Sequence, residues 1–154
     1  LNHNDKGGVT GWRKSIEFPG SIQMGYLAEF FEKLEWWDLF PANNILANQP
    51  GEKKYNHWIS VAKSSDNKTI VAYVPEKGEV KLYNPKGTKY TAQWFNPVTN
   101  KYSEAKIEQR FFTTEEKVDL EKGERTMVTI ANDSKTIIFK HDFENDMLIV
   151  LQKK

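Results

Sequence analysis

TIVAYVPEKGEVKLYNPKGTKYTAQWF, residues Thr69 to Phe95, is the stretch that decides the fold. Three runs within it, TIVAYV (Thr69 to Val74), EVKLY (Glu79 to Tyr83) and TAQWF (Thr91 to Phe95), are short and rich in β-branched and aromatic residues. Such side chains suit a pleated, half-buried surface and lose χ1 freedom in a helix. PEKG and NPKG divide the runs, and their proline and glycine supply the fixed and the reversed φ values that turns require. The stretch therefore predicts strands joined by tight reversals. Trp94 and Phe95 are neighbours, so in a strand they face opposite sides, and at most one of them is expected in the core.

The same grammar extends outward. YNHWISVAK (Tyr55 to Lys63), TMVTI (Thr126 to Ile130), TIIFK (Thr136 to Lys140) and MLIVL (Met147 to Leu151) read as further strands. SSDNK, NPVTNK, ANDSK and FEND read as the turns between them. Seven to nine short strands at this spacing predict a mainly β chain, an antiparallel β-sandwich of about 100 residues. One amphipathic α-helix precedes it.

Upstream of Pro41 the period is helical. In PGS, Pro19 to Ser21, Ser21 is expected to cap the helix amides. On a wheel of 100° per residue, Ile22, Met24, Tyr26, Leu27, Phe30, Phe31 and Leu34 sweep roughly half the circumference. Glu29, Glu32, Lys33 and Glu35 fill most of the rest. So wide a stripe predicts two packing neighbours for the helix. Trp36 and Trp37 follow where the helix gives way to a loop, and GEKK (Gly51 to Lys54) marks the expected seam between a 1–50 segment and a 51–154 sandwich.

Composition narrows the function. Apolar residues make up 38% of the chain and charged residues 28%, which suits a globular domain. Net charge is +1 and the lysines are spread along the sequence, so nucleic acid is not an expected partner. The absence of cysteine excludes disulfides, thiolate metal sites and cysteine nucleophiles. No apolar run approaches the roughly 20 residues of a membrane span. The opening LNHNDKGGVT is no signal peptide, and the chain reads as a piece of a longer polypeptide.

Chemistry-bearing groups are sparse. Glu115-Glu116, Glu35/Asp38 and Asp142/Glu144/Asp146 are the available carboxylate clusters, and on loops or helix ends they read as solvated charge. No catalytic residue is assigned. His3, His57 and His141 share no zinc-ligand spacing, and HDFEND (His141 to Asp146) lacks the glycine and terminal glutamate of a calcium loop. No metal and no cofactor are expected. Trp58, Trp94, Tyr73, Tyr83, Tyr90 and Tyr102 could serve either as core or as a platform for sugar rings. Of these, Trp58, Trp94 and Tyr102 are the candidate ligand-binding residues.

WRKSIEFPGSIQMGYLAEFFEKLEWWDLFPAN resembles the closing helix and exit loop of the apiosidase-like group of glycoside-hydrolase-type (β/α)8 barrels. The positions that carry the resemblance are Trp12, Pro19-Gly20, Gln23-Met24, Phe30-Phe31-Leu34, Trp36-Trp37 and Pro41. IVAYVP (Ile70 to Pro75), QWFNPVTNKY (Gln93 to Tyr102) and DMLIVLQ (Asp146 to Gln152) resemble the C-terminal sandwich that trails these barrels, catalogued as a collagen-binding domain. Residues 111–143 match it poorly. The resemblance implies a C-terminal accessory domain of a secreted or periplasmic bacterial glycoside hydrolase whose catalytic carboxylates lie in the barrel. It implies the upstream barrel as partner, polysaccharide or collagen as possible ligand, and Phe30, Phe31, Trp36 and Trp37 as packing between barrel and sandwich. The alternative is a free-standing carbohydrate- or collagen-binding module.

Overall fold

The structure, a computed structural model, describes residues 12–84, 86–119 and 124–154, with the side chains of 12–13, 109–119 and 124–135 left aside. Two helical segments, α1 (Trp12–Ser15) and α2 (Pro19–Glu32), lead into nine strands. These are β1 (Leu39–Pro41), β2 (Ser60–Ser64), β3 (Thr69–Val74), β4 (Gly78–Tyr83), β5 (Tyr90–Asn96), β6 (Lys101–Glu104), β7 (Glu108–Asp119), β8 (Glu124–His141) and β9 (Met147–Lys153). A six-stranded sheet has the order β1-β2-β3-β9-β5-β6 and a three-stranded sheet the order β4-β8-β7. Every pairing is antiparallel. The expected mainly β sandwich with a preceding helix is what forms.

Alternation along the strands builds two cores. Ile70, Ala72 and Val74 of β3, Trp94 of β5, and Met147, Ile149 and Leu151 of β9 turn toward the three-stranded sheet. There they meet Val80, Leu82, Ile137 and Phe139. Val71, Phe95, Leu148 and Val150 turn the other way and pack against Phe30 and Leu34 of the helical segment. The six-stranded sheet is thus buried on both faces. This overturns the expectation that only one of Trp94 and Phe95 is in a core: Trp94 fills the sandwich and Phe95, fully buried, stacks on Phe30 at 4.6 Å between ring centroids.

Local chemistry explains the other departures. Pro19 occupies the first turn of α2, where its missing N–H costs nothing, and Phe18 is the N-cap residue. Ser21 lies inside that turn and its hydroxyl donates to the Ser15 carbonyl, so it is not the expected cap. Tyr55–His57 is a single 3-10 turn and β2 starts only at Ser60, later than the aromatic run predicts. ANDSK does not reverse the chain: β8 runs through it. Between Phe111↔Lys135 and Thr113↔Ile130 the partner β7 advances by fewer residues, so the extra ones are taken up as an irregularity in the ladder.

The loop after the helix is held by amide side chains. Asn43 Oδ1 accepts the Val61 N–H, and Asn48 spans β4 by donating to the Glu79 carbonyl and accepting from the Lys81 N–H. Gln49 does the same for both backbone groups of Ile59. A Leu46–Leu82 bridge continues the cover along β4, which would otherwise be an open edge of the smaller sheet. The larger sheet begins at Leu39, well before Gly51, so residues on both sides of the expected seam share one core.

Candidate functional site

The aromatics proposed for ligand contact have three different fates. Trp94 is only 3% exposed, with Phe139, His141 and Phe143 edge-on around it. No ring face is left for a sugar, and burial removes it from the ligand-binding set. Tyr102 is partly exposed, but its ring packs on Phe95 at 4.9 Å, and Lys33 Nζ lies 5.9 Å from its centroid. Tyr102 closes the end of the helix–sheet core. Trp58 is 44% exposed, and its ring and backbone press on buried Gly51, where a methyl group would come within 2.5 Å. One side of that indole is therefore fixed against main chain while the rest faces solvent.

The helical segment presents a different surface. Phe30 is buried and Phe31 partly so, its ring edge-on to Phe30 at 5.1 Å. Both pack on this chain's own sheet. Trp36 and Trp37 are 54% and 70% exposed and meet each other edge to face. Met24 is 65% exposed, and Ile16, Phe18 and Ile22 are exposed as well. On the helical wheel Ile22 and Met24 fall on opposite flanks of the buried stripe. The described residues thus provide the helix with one of its two expected neighbours.

A third feature was invisible in the sequence. At one end of the sandwich, the β2–β3 turn, the β4–β5 connection and the end of β9 enclose a cleft of about 380 Å³. Its wall is preorganised. Asn84 clamps its own turn by donating to the Thr88 carbonyl and accepting from the Thr88 N–H, and the Tyr90 hydroxyl donates to the Asn67 carbonyl. Asn67 takes the left-handed φ of 57° that asparagine tolerates, and its side chain accepts from Lys63 Nζ at 2.8 Å. Asp66 is the one carboxylate lining this cleft. Lys68, foremost, and the Ser64 hydroxyl hold its pKa down to about 2. A carboxylate so stabilised is neither a useful acid nor a useful base near neutrality. The clue available from sequence was that SSDNK and NPKG, both lysine-bearing turns, fall at the same end of antiparallel strands.

Other titratable groups tie parts of the fold together. Asp38 accepts from both the backbone and the hydroxyl of Ser65, and Glu144 pairs with Lys77. His141 is fully buried beside Trp94 and Phe143, and neither ring nitrogen makes a well-formed hydrogen bond. Burial lowers its pKa, against a weaker upward pull from nearby backbone groups and from Asp142 and Asp146. Glu115 and Glu116 lie among the side chains left aside, and His3 lies outside the described residues. Among the described residues no group of three His, Asp or Glu is placed to hold a metal ion, and no helix is long and apolar enough to cross a membrane.

Comparison with known proteins places the fold. A solved structure described as a glycoside hydrolase is similar at a TM-score of 0.62 and 19% identity, over 95% of this chain and 28% of that one. A family 5 glycoside hydrolase from Bacteroides vulgatus ATCC 8482 is similar at a TM-score of 0.61 and 20% identity, over 93% and 26% of the two chains. The chain thus spans about a quarter of the length of each of these two proteins. No family model and no curated protein matches it. The likeness is one of fold: a helix-backed β-sandwich that also occurs as a fraction of much longer glycoside hydrolase chains.

Proposed function

We propose that this chain is a non-catalytic accessory domain of a larger glycoside-hydrolase-type protein, and that its helical segment braces a catalytic (β/α)8 body. The observation that carries the reading is the exposed apolar surface around α2, from Ile16, Phe18, Ile22 and Met24 to Trp36 and Trp37. Scattered apolar residues are ordinary on a surface, but this many on one short helical segment mark a contact. The fold comparisons support an occupant of this kind, since similar sandwiches occupy about a quarter of chains long enough to hold a further body. In this reading Trp36 and Trp37 fill the seam, while Phe30 and Phe31 anchor the helix to the sandwich. A secreted or periplasmic setting and the apiosidase-like kinship belong to the same proposal.

Two measurements test it. The isolated chain is expected to leave aryl glycosides and polysaccharides uncleaved; turnover above a heat-killed blank overturns the accessory role. The pair Met24→Glu and Trp37→Glu is expected to leave the melting temperature of the isolated chain within about 2 °C, because exposed substitutions rarely matter to stability. The same pair in the longer polypeptide lowers the melting temperature of the neighbouring body. Collapse of the isolated chain would show instead that this surface belongs to its own core.

A further inference from the structure

The sandwich end that carries the cleft also gathers lysines. Lys63, Lys86, Lys89, Lys106, Lys153 and Lys154 line the cleft and two shallower depressions that meet it at Tyr90. None of the six forms an ion pair with a described residue. Among the described lining residues the carboxylates are Glu104, in one of the shallower depressions, and Asp66, which Lys68 already pairs. Among the described residues, six cations thus gather at one end without an ion-pair partner, in a chain of net charge +1. Along the sequence they are spread, because they come from β2, the β4–β5 connection, the residues after β6, and the end of β9 with the residue that follows it. Like charges held together repel one another, so the arrangement costs stability unless an anion relieves it.

We infer that this cleft binds acidic polysaccharide, taking a uronate unit of a polymer chain. The inference rests on the accessory reading above and names the substrate class that such a domain would hold near its enzyme. Cavities of about 300–1,000 Å³ suit small ligands, and the cleft lies at the lower end, enough for one or two sugar rings. Tyr83 offers an exposed ring beside it, and Asn67 and Thr88 place polar groups along a wall already fixed by hydrogen bonds. Lysine is a flexible point charge that suits isolated carboxylates. Among the described residues the lining holds no arginine, whose planar fork is the preferred partner of phosphates and bases, and Tyr83 is no stacking row for single-stranded nucleic acid.

Affinity electrophoresis of the whole chain through gels containing polygalacturonate, neutral galactan or a single-stranded DNA oligonucleotide tests the assignment. Retardation is expected with polygalacturonate alone, and about 0.5 M salt should abolish it through screening. The double variant Lys86→Glu/Lys153→Glu should weaken retention at least about tenfold while its circular dichroism stays that of the wild type, since electrostatic complementarity drives such binding. The double variant Lys54→Glu/Lys101→Glu makes the same charge change at residues that do not line the cleft or its depressions, and should leave retention nearly intact. Equal losses in the two would mean non-specific charge attraction and overturn the site. So would retention on galactan, or retention lost in Trp58→Ala but kept in the lysine variant. Preferential retention by DNA, lost in the lysine variant, would replace the glycan with nucleic acid. Absence of retention defeats this inference alone, whereas cleavage of the polymer by the chain defeats the accessory reading.

Discussion

Residue by residue, the tightest constraints lie where the sandwich meets its connections. His141 is packed between Trp94 and Phe143 as a neutral ring, with its pKa held below the ordinary 6.5 by burial. The unfolded chain therefore binds a proton that the folded chain resists. Stability is full above about pH 6.5 and falls as the pH drops below it. Denaturation midpoints taken from pH 8 down to pH 5 should show that decline, and His141→Leu should flatten it; an unchanged profile would assign the loss to other groups. Gly51 is the second such place. A Cβ there would lie 2.5 Å from the Trp58 Cα and 2.7 Å from its ring, so main chain must move to admit it. Gly51→Ala is expected to cost about 1–3 kcal/mol, as overpacking does, and to shift the Trp58 fluorescence. Wild-type stability in that variant would mean the indole is held from elsewhere.

Among the elements, α2 is the test of whether the helix is part of the domain. Its Phe30 stacks on Phe95 and sits near Tyr102, so the helix shares a core with the sheet. Phe30→Ala should destabilise by about 3–5 kcal/mol and lower the melting temperature by on the order of 10 °C. No change would reduce the helix to an appendage. β3, β4 and β9 were legible because their apolar runs sit beside turn sequences, PEKG, NPKG and FEND. β1 and β6 were not: LFP is three residues long, and KYSE is exposed throughout, so neither carries a two-residue apolar period. β7 was hidden by its charge, EQRFFTTEEKVD offering no alternation to read. Trp94 was placed among the ligand contacts because a sheet wet on one face was assumed, whereas this one is covered on both. The cleft lay beyond any window, since its lysines meet only when four distant strand ends coincide.

The whole molecule is polarised twice over. An apolar surface surrounds the helical segment and a basic one caps an end of the sandwich, each with an occupant proposed above. One further property follows from strand order. β9 lies between β3 and β5, and the halves β1-β2-β3 and β5-β6 of the larger sheet meet only through it. Yet β9 comes after every other strand in the chain. As the protein is synthesised, two half-sheets with unpaired inner edges must wait for Met147–Lys153 to emerge from the ribosome before they can join. Deleting Met147–Lys153 should therefore abolish near-ultraviolet circular dichroism and leave the chain open to protease, and a protease-resistant remainder would contradict this. During that interval the inner edges of β3 and β5 stand exposed to other nascent chains. Slow translation of the segment that encodes β9 lengthens the exposure, so yield in a cell should depend on how quickly those codons are read.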